Sequence, residues 1–481
     1  MAILKRSDVA LTNGKGGFPG RMAVFYVLMI VAAVLLFFWI VAHGKLLAAP
    51  PRAAGQLYGE TSGGGQFEAL PHVLLALAVV LIASRLVGAV FRWLGQPPVV
   101  GEVLAGILVG PSLLGKISPQ ALAFLLPAAV VPFLGVIAQV GVILFMFLVG
   151  LELDPAMMRN RTHATVAISH ASIALPFLLG GLLALWIYPV VATGDVPFAA
   201  FALFLGVSMS ITAFPVLARI LTDRGIQKTR MGVIALTCAA VDNVTVWCLL
   251  ALVVSVVKAV VTLVLTLAYI AAILALRPLV ARLVRAYEDR GLTQGAMTVV
   301  FVALLLSALA TEAIGVHALF GAFLLGAVVP ADSRIARELE VRLHGVVVVL
   351  LLPAFFAYSG LRTQIGLVRG AGAWLLCAAI ILVASLGKFG GTALAARLTG
   401  LGWRDASALG VLMNTRGLVE LIVLNIGLDL KVISPTLFTM LVIMALATTM
   451  ATTPILDLLR RGQVEAQALP AGEAGPAANP T

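Results

Sequence analysis

Asp242 and Lys388 are a carboxylate and an amine that could pair and do chemistry away from water: each lies within a long apolar run, where an ionisable side chain is costly and needs an opposite charge. A carboxylate out of water can hold either a proton or a monovalent cation. A purely structural ion pair is the plainer reading of the same two residues. Around them, two apolar runs are interrupted by residues that disfavour continuous helix, Ser208-Met-Ser210-Ile-Thr212-Ala-Phe-Pro215 and Asn414-Thr-Arg416-Gly417. Unwound backbone supplies carbonyl dipoles, and the hydroxyls of Ser210 and Thr212 and the amide of Asn414 can replace water around an ion. The bland alternative is that these hydroxyls bond their own helix and that Pro215 makes a simple kink. Arg416 and Glu420 are four apart, so they either neutralise each other on one helix face or place a fixed positive charge beside a half-helix C-terminus.

The elements that position these residues must be transmembrane helices. Of 481 residues, 61% are hydrophobic and only 11% charged, with mean hydropathy +1.10, against roughly 45–50% apolar and about 25% charged in soluble domains. That excludes a water-facing enzyme, a disordered regulator and a disulfide-stapled module. Fourteen apolar stretches approach the length that crosses about 30 Å of hydrocarbon. They are 23–43, 70–93, 99–114, 130–151, 165–188, 198–220, 231–257, 260–283, 297–311, 315–330, 346–360, 371–398, 406–428 and 435–459. Cys238, Cys248 and Cys377 lie inside them without metal-ligand spacing and read as small apolar side chains. No metal cluster, nucleophile or cofactor loop is present in the sequence, which argues for a transporter over an enzyme.

The net charge of +11 is explained by orientation. With the N-terminus cytoplasmic, 22 of the 32 Lys and Arg fall on the cytoplasmic side, 7 fall outside, and only Arg85, Lys388 and Arg416 remain within spans. This matches the positive-inside rule and the anionic inner leaflet, with no nucleic acid as a partner. Residues 1–69 read as an uncleaved anchor helix and outer loop, and residues 460–481, rich in Ala, Pro and Gly, as a disordered cytoplasmic tail.

The chain also repeats itself. Phe145-Met-Phe-Leu-Val-Gly150 resembles Phe355-Phe-Ala-Tyr-Ser-Gly360, Leu205-Gly-Val-Ser-Met209 resembles Leu409-Gly-Val-Leu-Met413, and Glu102 with Gly106 matches His317 with Gly321. The order is kept and the offsets are similar. Spans two to seven therefore correspond to spans nine to fourteen around the lone span 260–283. The odd count per step inverts the second half, giving one anchor helix followed by six, one and six. Glu102, Glu312 and His317 read as interfacial or packed residues.

Gly101-Glu-Val-Leu-Ala-Gly-Ile-Leu-Val-Gly-Pro111, Phe147-Leu-Val-Gly-Leu-Glu-Leu-Asp154, Ile211-Thr-Ala-Phe-Pro-Val-Leu-Ala-Arg219 and Asn414-Thr-Arg-Gly-Leu-Val-Glu-Leu421 jointly resemble motifs of the monovalent cation:proton antiporters, in the branch of Kef-type potassium-efflux proteins and bacterial sodium/proton antiporters. The resemblance covers roughly residues 70–459. It implies an all-helical inverted-repeat fold of thirteen helices with two crossed broken helices, here with one extra N-terminal helix, forming a homodimer in the bacterial inner membrane. It further implies a core bundle (163–257 and 371–459) that moves against a scaffold and dimer part (70–155 and 296–366), with 260–283 as linker. By the family's pattern Asp242 matches the first residue of an acidic pair, Lys388 its lysine partner, and Thr212 the hydroxyl beside the crossing. The transported species are then Na⁺ or K⁺ and H⁺, with no cofactor.

Asn243 departs from the family pattern, which keeps a carboxylate at that position. An amide neither titrates near neutral pH nor neutralises a cation. Either Asp242 performs the exchange while Lys388 releases its proton as the cation binds, or the chain is an antiporter-like scaffold or sensor that does not transport. Related inverted-repeat folds carry organic anions, and Arg416 keeps that as a third reading.

Overall fold

In hydrocarbon each backbone N–H and C=O must find its partner within the protein, and a helix does this segment by segment. The computed structural model describes residues 20–45, 47, 69–151, 163–194, 196–226, 229–258, 260–286 and 291–467, and among them every regular element is helical. The basic N-terminus, most of residues 46–68, residues 152–162 with Glu152, Asp154, Arg159 and Arg161, and residues 468–481 lie outside the described residues.

The first helix, expected as an anchor, is α1 (Gly20–Gly44). The first repeat comprises α2 (Ala69–Trp93), α3 (Pro98–Val109), α4 (Val131–Leu151), α5 (His163–Val191), the half-helices α6 (Phe198–Ser210) and α7 (Phe214–Asp223), and α8 (Arg230–Lys258). After α9 (Val260–Ala286) the second repeat runs through α10 (Gln294–Ile314) and α11 (Ala318–Val328). An amphipathic helix, α12 (Arg334–Val346), then leads into α13 (Leu352–Arg362). It continues with α14 (Gly370–Leu398), the half-helices α15 (Trp403–Met413) and α16 (Leu418–Asp429), and α17 (Pro435–Gln467). Short helical turns at Leu114–Ile117 and Pro119–Leu125 join α3 to α4. Among the described residues ten helical stretches are long and apolar enough to cross a membrane, and a bent pair and three shorter apolar helices occupy the remaining expected spans.

Glycine contacts display the repeat directly. A Cβ on Gly106 would lie 2.7 Å from Ala357 Cα, and one on Gly150 would lie 2.3 Å from Phe323 O, so α3 meets α13 as α4 meets α11. Only a residue without a side chain permits such an approach. The glycines also correct one register. Gly101 packs on Gly88 and Gly106 on Gly360, whereas Gly321 packs on Ser307 and Gly326 on Gly150. Gly106 therefore corresponds to Gly326, five residues beyond the partner expected from the sequence. Each glycine pair is fixed by two neighbouring helices, which a single-helix comparison does not register.

Packing sorts the helices into two groups. In one, α5 and α14 lie side by side, with the broken helices, α8 and α17 around them; in the other, α2, α3, α4, α10, α11 and α13 pack together. Helix α1 lies along α5 and α6. One expectation fails at the C-terminus: α17 extends to Gln467, through residues expected to be disordered. The segment after Leu459 lacks proline until Pro470 and carries Arg460, Arg461, Glu465 and Gln467, all good helix formers.

Candidate ion site at the helix crossing

Asp242 stands midway along α8 and is fully buried. Its carboxylate is met from three other elements. Ser169 and Ser172, three residues apart on one face of α5, donate to Oδ1 at 2.7 Å and Oδ2 at 2.8 Å. Thr212, in the unwound link between α6 and α7, reaches Oδ2 at 2.9 Å. The Lys388 ammonium, from α14, donates to the same oxygen at 2.9 Å. Lys388 is also fully buried, and its second partner is Ser210 O at 2.6 Å.

The breaks explain why so much charge can be held here. α6 stops at Ser210 because Ile211 adopts an extended conformation, and α7 starts at Phe214 with Pro215 in its first turn, where a missing N–H is harmless. The two broken chains cross, with Ala213 N donating to Thr415 O at 3.0 Å and Thr212 Oγ1 lying 3.2 Å from Met413 O. A Cβ on Gly417 would come within 2.7 Å of Val216 Cγ2, so a side chain there would push the crossing apart.

The last carbonyls of α6 carry the negative end of its dipole. Arg416 donates to Ser208 O at 2.8 Å and to Met209 O at 2.7 Å, while Lys388 takes Ser210 O. Arg416 also pairs with Glu420 at 2.6 Å in the first turn of α16, both residues being fully buried. The two readings of Arg416 thus describe a single arrangement. Thr449 of α17 fixes its backbone, accepting from Arg416 N at 2.9 Å and donating to Arg416 O at 2.7 Å.

Other candidates stand apart from the carboxylate. Ser210 turns its hydroxyl to Gly206 O and Ile173 O, so it presents its carbonyl to the site. Asn414 ends α15, and its Oδ1 is buried without a hydrogen-bond partner among the described residues. Asn243 is buried too, and its Oδ1 is likewise unpartnered. It shares a face of α8 with Trp247, which packs on Phe320 and Phe323 of α11, so Asn243 looks toward the other helix group. His317 lines a separate cavity between the two groups. Sequence reasoning missed Ser169, Ser172 and Thr449; the signal available was a pair of serines three apart in a largely apolar helix.

The geometry therefore places one carboxylate among three hydroxyls, an amine and several backbone carbonyls, all away from bulk water. Among the described residues no cluster of His, Cys, Asp and Glu could hold a resident metal. Such a site can exchange a proton for a hard monovalent cation.

Comparison with known proteins places the chain among transporters. The family profile described as sodium/hydrogen exchanger, transmembrane, matches residues 76–458. The Na⁺/H⁺ antiporter NhaS4 of Synechocystis is 43% identical over 392 residues, covering 80% of this chain and 96% of that protein. Cation/H⁺ antiporter 19 of Arabidopsis thaliana is 40% identical over 81% of this chain, and K⁺/H⁺ antiporter 1 of Saccharomyces cerevisiae 35% over 80%. The chain spans about half the length of these two, 50% and 46% respectively. The sodium proton antiporter MjNhaP1 from Methanocaldococcus jannaschii has a similar fold, with TM-score 0.60 at 15% identity, over 84% of this chain and all of that one.

Proposed function

Because the chain belongs to the sodium/hydrogen exchanger family of monovalent cation:proton antiporters, we propose that it exchanges Na⁺ or K⁺ for protons by alternating access, with Asp242 and Lys388 as the exchange pair. The observation that carries this reading is the double hold on the Lys388 ammonium, which bridges Asp242 Oδ2 and Ser210 O. Those two oxygens are also what a dehydrated cation needs. The protonated amine acts as an internal competitor for the cation, and either one satisfies the carboxylate.

When Lys388 releases its proton, Asp242, Ser210 O and the hydroxyls of Thr212, Ser169 and Ser172 offer oxygen ligands to Na⁺ or K⁺. The hydroxyls switch from donating toward the carboxylate to presenting lone pairs to the ion. Charge is conserved through this swap. Asp242 and Glu420 balance Lys388 and Arg416 in the proton-loaded state, and a bound cation replaces the lost ammonium charge in the other. With Asn243 in place of a second carboxylate, the exchange is one cation for one proton and moves no net charge.

The group built around α5, α14 and the broken helices is the moving part, and the group of α2–α4, α10, α11 and α13 is the scaffold. Large apolar side chains exposed along α2 and α10, among them Leu74, Ile82, Leu305 and Leu309, suit lipid and a homodimer partner. A bacterial plasma membrane with the C-terminus cytoplasmic agrees with the charge distribution and with the cyanobacterial relative.

Proteoliposomes with a trapped pH dye test the assignment. A pulse of Na⁺ or K⁺ is expected to drive proton release from vesicles holding the native chain and none from vesicles holding Asp242→Asn. Equal signals from both, or no response to either cation by the native chain, would overturn it.

A further inference from the structure

Away from the exchange site, a second polar cluster joins the two helix groups, with Arg362 and Asn425 buried and Asp429 38% exposed at its outer edge. Arg362 ends α13 and is only 6% exposed. Its Nη2 donates to Asp429 Oδ1 at 2.6 Å and its Nη1 to Asn425 Oδ1 at 2.9 Å, both on the last turns of the half-helix α16. Asn425 returns a bond from Nδ2 to Ser359 Oγ on α13 at 2.8 Å. The Arg362 guanidinium also lies over the Tyr358 ring at 5.2 Å. Three polar bonds thus tie α13 to α16, where the rest of that boundary is mostly apolar.

Two further observations give the cluster a direction. The small cavity beside it lies between the groups and is lined by Gln139, His317, Tyr358, Asn425 and Asp429 among apolar residues. The half-helix α16 also carries Glu420 in its first turn, paired with Arg416 at the helix crossing. Glu420 and Asp429 are nine residues apart, about 13 Å at 1.5 Å per residue. One short rigid rod therefore has one end in the charge network of the exchange site and the other clamped to the opposite helix group.

We propose that Arg362, with Asn425 and Asp429, is the latch that holds the two helix groups together on the face where Arg362 lies, the external face by the charge distribution. The latch closes that face while Lys388 is paired with Asp242, and it opens once in each transport cycle. Arg362 is a positioning residue: it touches no transported ion and acts by fixing α16. A bidentate guanidinium suits this role, because its planar fork spans the carboxylate of Asp429 and the amide of Asn425 in one geometry. This rests on the antiport reading above, but its structural readout needs no transport.

The test uses the full chain in proteoliposomes sorted for orientation. Ala138→Cys, buried in the wall of the cavity, is labelled with a membrane-impermeant maleimide from the external face, with Arg362 intact or changed to Ala. Asp429→Asn serves as the milder second variant. Labelling is expected to speed several-fold when Arg362 or Asp429 is altered, while a cytoplasmic-face reagent gains nothing. In parallel, Arg362→Cys with Asp429→Cys is bridged by a short bifunctional methanethiosulfonate. The bridge is expected to stop cation-driven proton flux, and reductant to restore it. Unchanged external labelling in both variants, or a bridged protein that transports at the reduced protein's rate, would overturn the latch. If the native chain shows no flux at all, the antiport reading fails and the labelling arm alone decides the latch.

Discussion

Lys388 Nζ lies 2.9 Å from Asp242 Oδ2 with both side chains sealed from solvent, and the same amine is held at 2.6 Å by the last carbonyl of a broken helix. The buried ammonium therefore has two partners that a metal cation could take over. That shared use of Asp242 Oδ2 and Ser210 O is the basis for competition between proton and cation.

Competition predicts how transport depends on pH. A cation binds only after Lys388 loses its proton, so at lower pH the apparent KM for Na⁺ or K⁺ rises in proportion to proton concentration, while the maximal rate stays unchanged. Initial-rate measurements at several symmetrical pH values check this. A KM that stays constant as pH falls would exclude a shared site.

Lys388→Arg separates charge from titration. A guanidinium keeps its proton under all protein conditions, so this variant is expected to remain folded with the Asp242 charge met, yet to lose cation-driven proton flux. Lys388→Ala leaves a buried carboxylate unpaired, at a cost of about 3–5 kcal/mol, and a lower melting temperature in detergent is expected. Flux retained in Lys388→Arg would rule out the lysine as proton carrier.

Ser169→Ala and Ser172→Ala each remove one hydrogen bond from the Asp242 carboxylate. A bond to a charged group contributes about 1.5–3 kcal/mol to the lysine-paired state, and in the cation-bound state each hydroxyl is an oxygen ligand, so each variant is expected both to lower stability without cation and to weaken cation binding. Cation-dependent thermal stabilisation across a concentration series reads this shift. Thr449→Ala, which releases the Arg416 backbone, is expected to lower stability and leave the KM for cation nearly unchanged.

How much of this was legible in the sequence follows from how conspicuous each residue is against its surroundings. Asp242, Lys388, Arg416 and the two helix breaks stand out because charge and helix-disfavouring residues are rare in apolar runs. Ser169 and Ser172 do not, since serine in a membrane helix ordinarily bonds its own backbone. Arg362 reads as one of a few external charges near a helix end, and only the fold brings it to Asn425 and Asp429, more than sixty residues away. The register of Gly106 was misread for a similar reason: its partner is set by contact with α13, a property of two helices.

The position after Asp242 bears on charge movement. Asn243 Oδ1 is buried and has no hydrogen-bond partner among the described residues, so Asn243→Asp would add a carboxylate with no described cation to meet it. Such a group draws in an extra proton or cation. This variant is expected to transport with a rate that depends on membrane potential, read by imposing a potassium diffusion potential during Na⁺-driven flux.

The most direct test of the central claim is the ratio of cation taken up to proton released by the native chain, measured with isotopic Na⁺ or a K⁺ surrogate alongside a pH dye at clamped potentials. Exchange through the Asp242–Lys388 pair predicts a ratio of one and the same rate at every potential. A ratio different from one, or a rate that changes with potential, would contradict it.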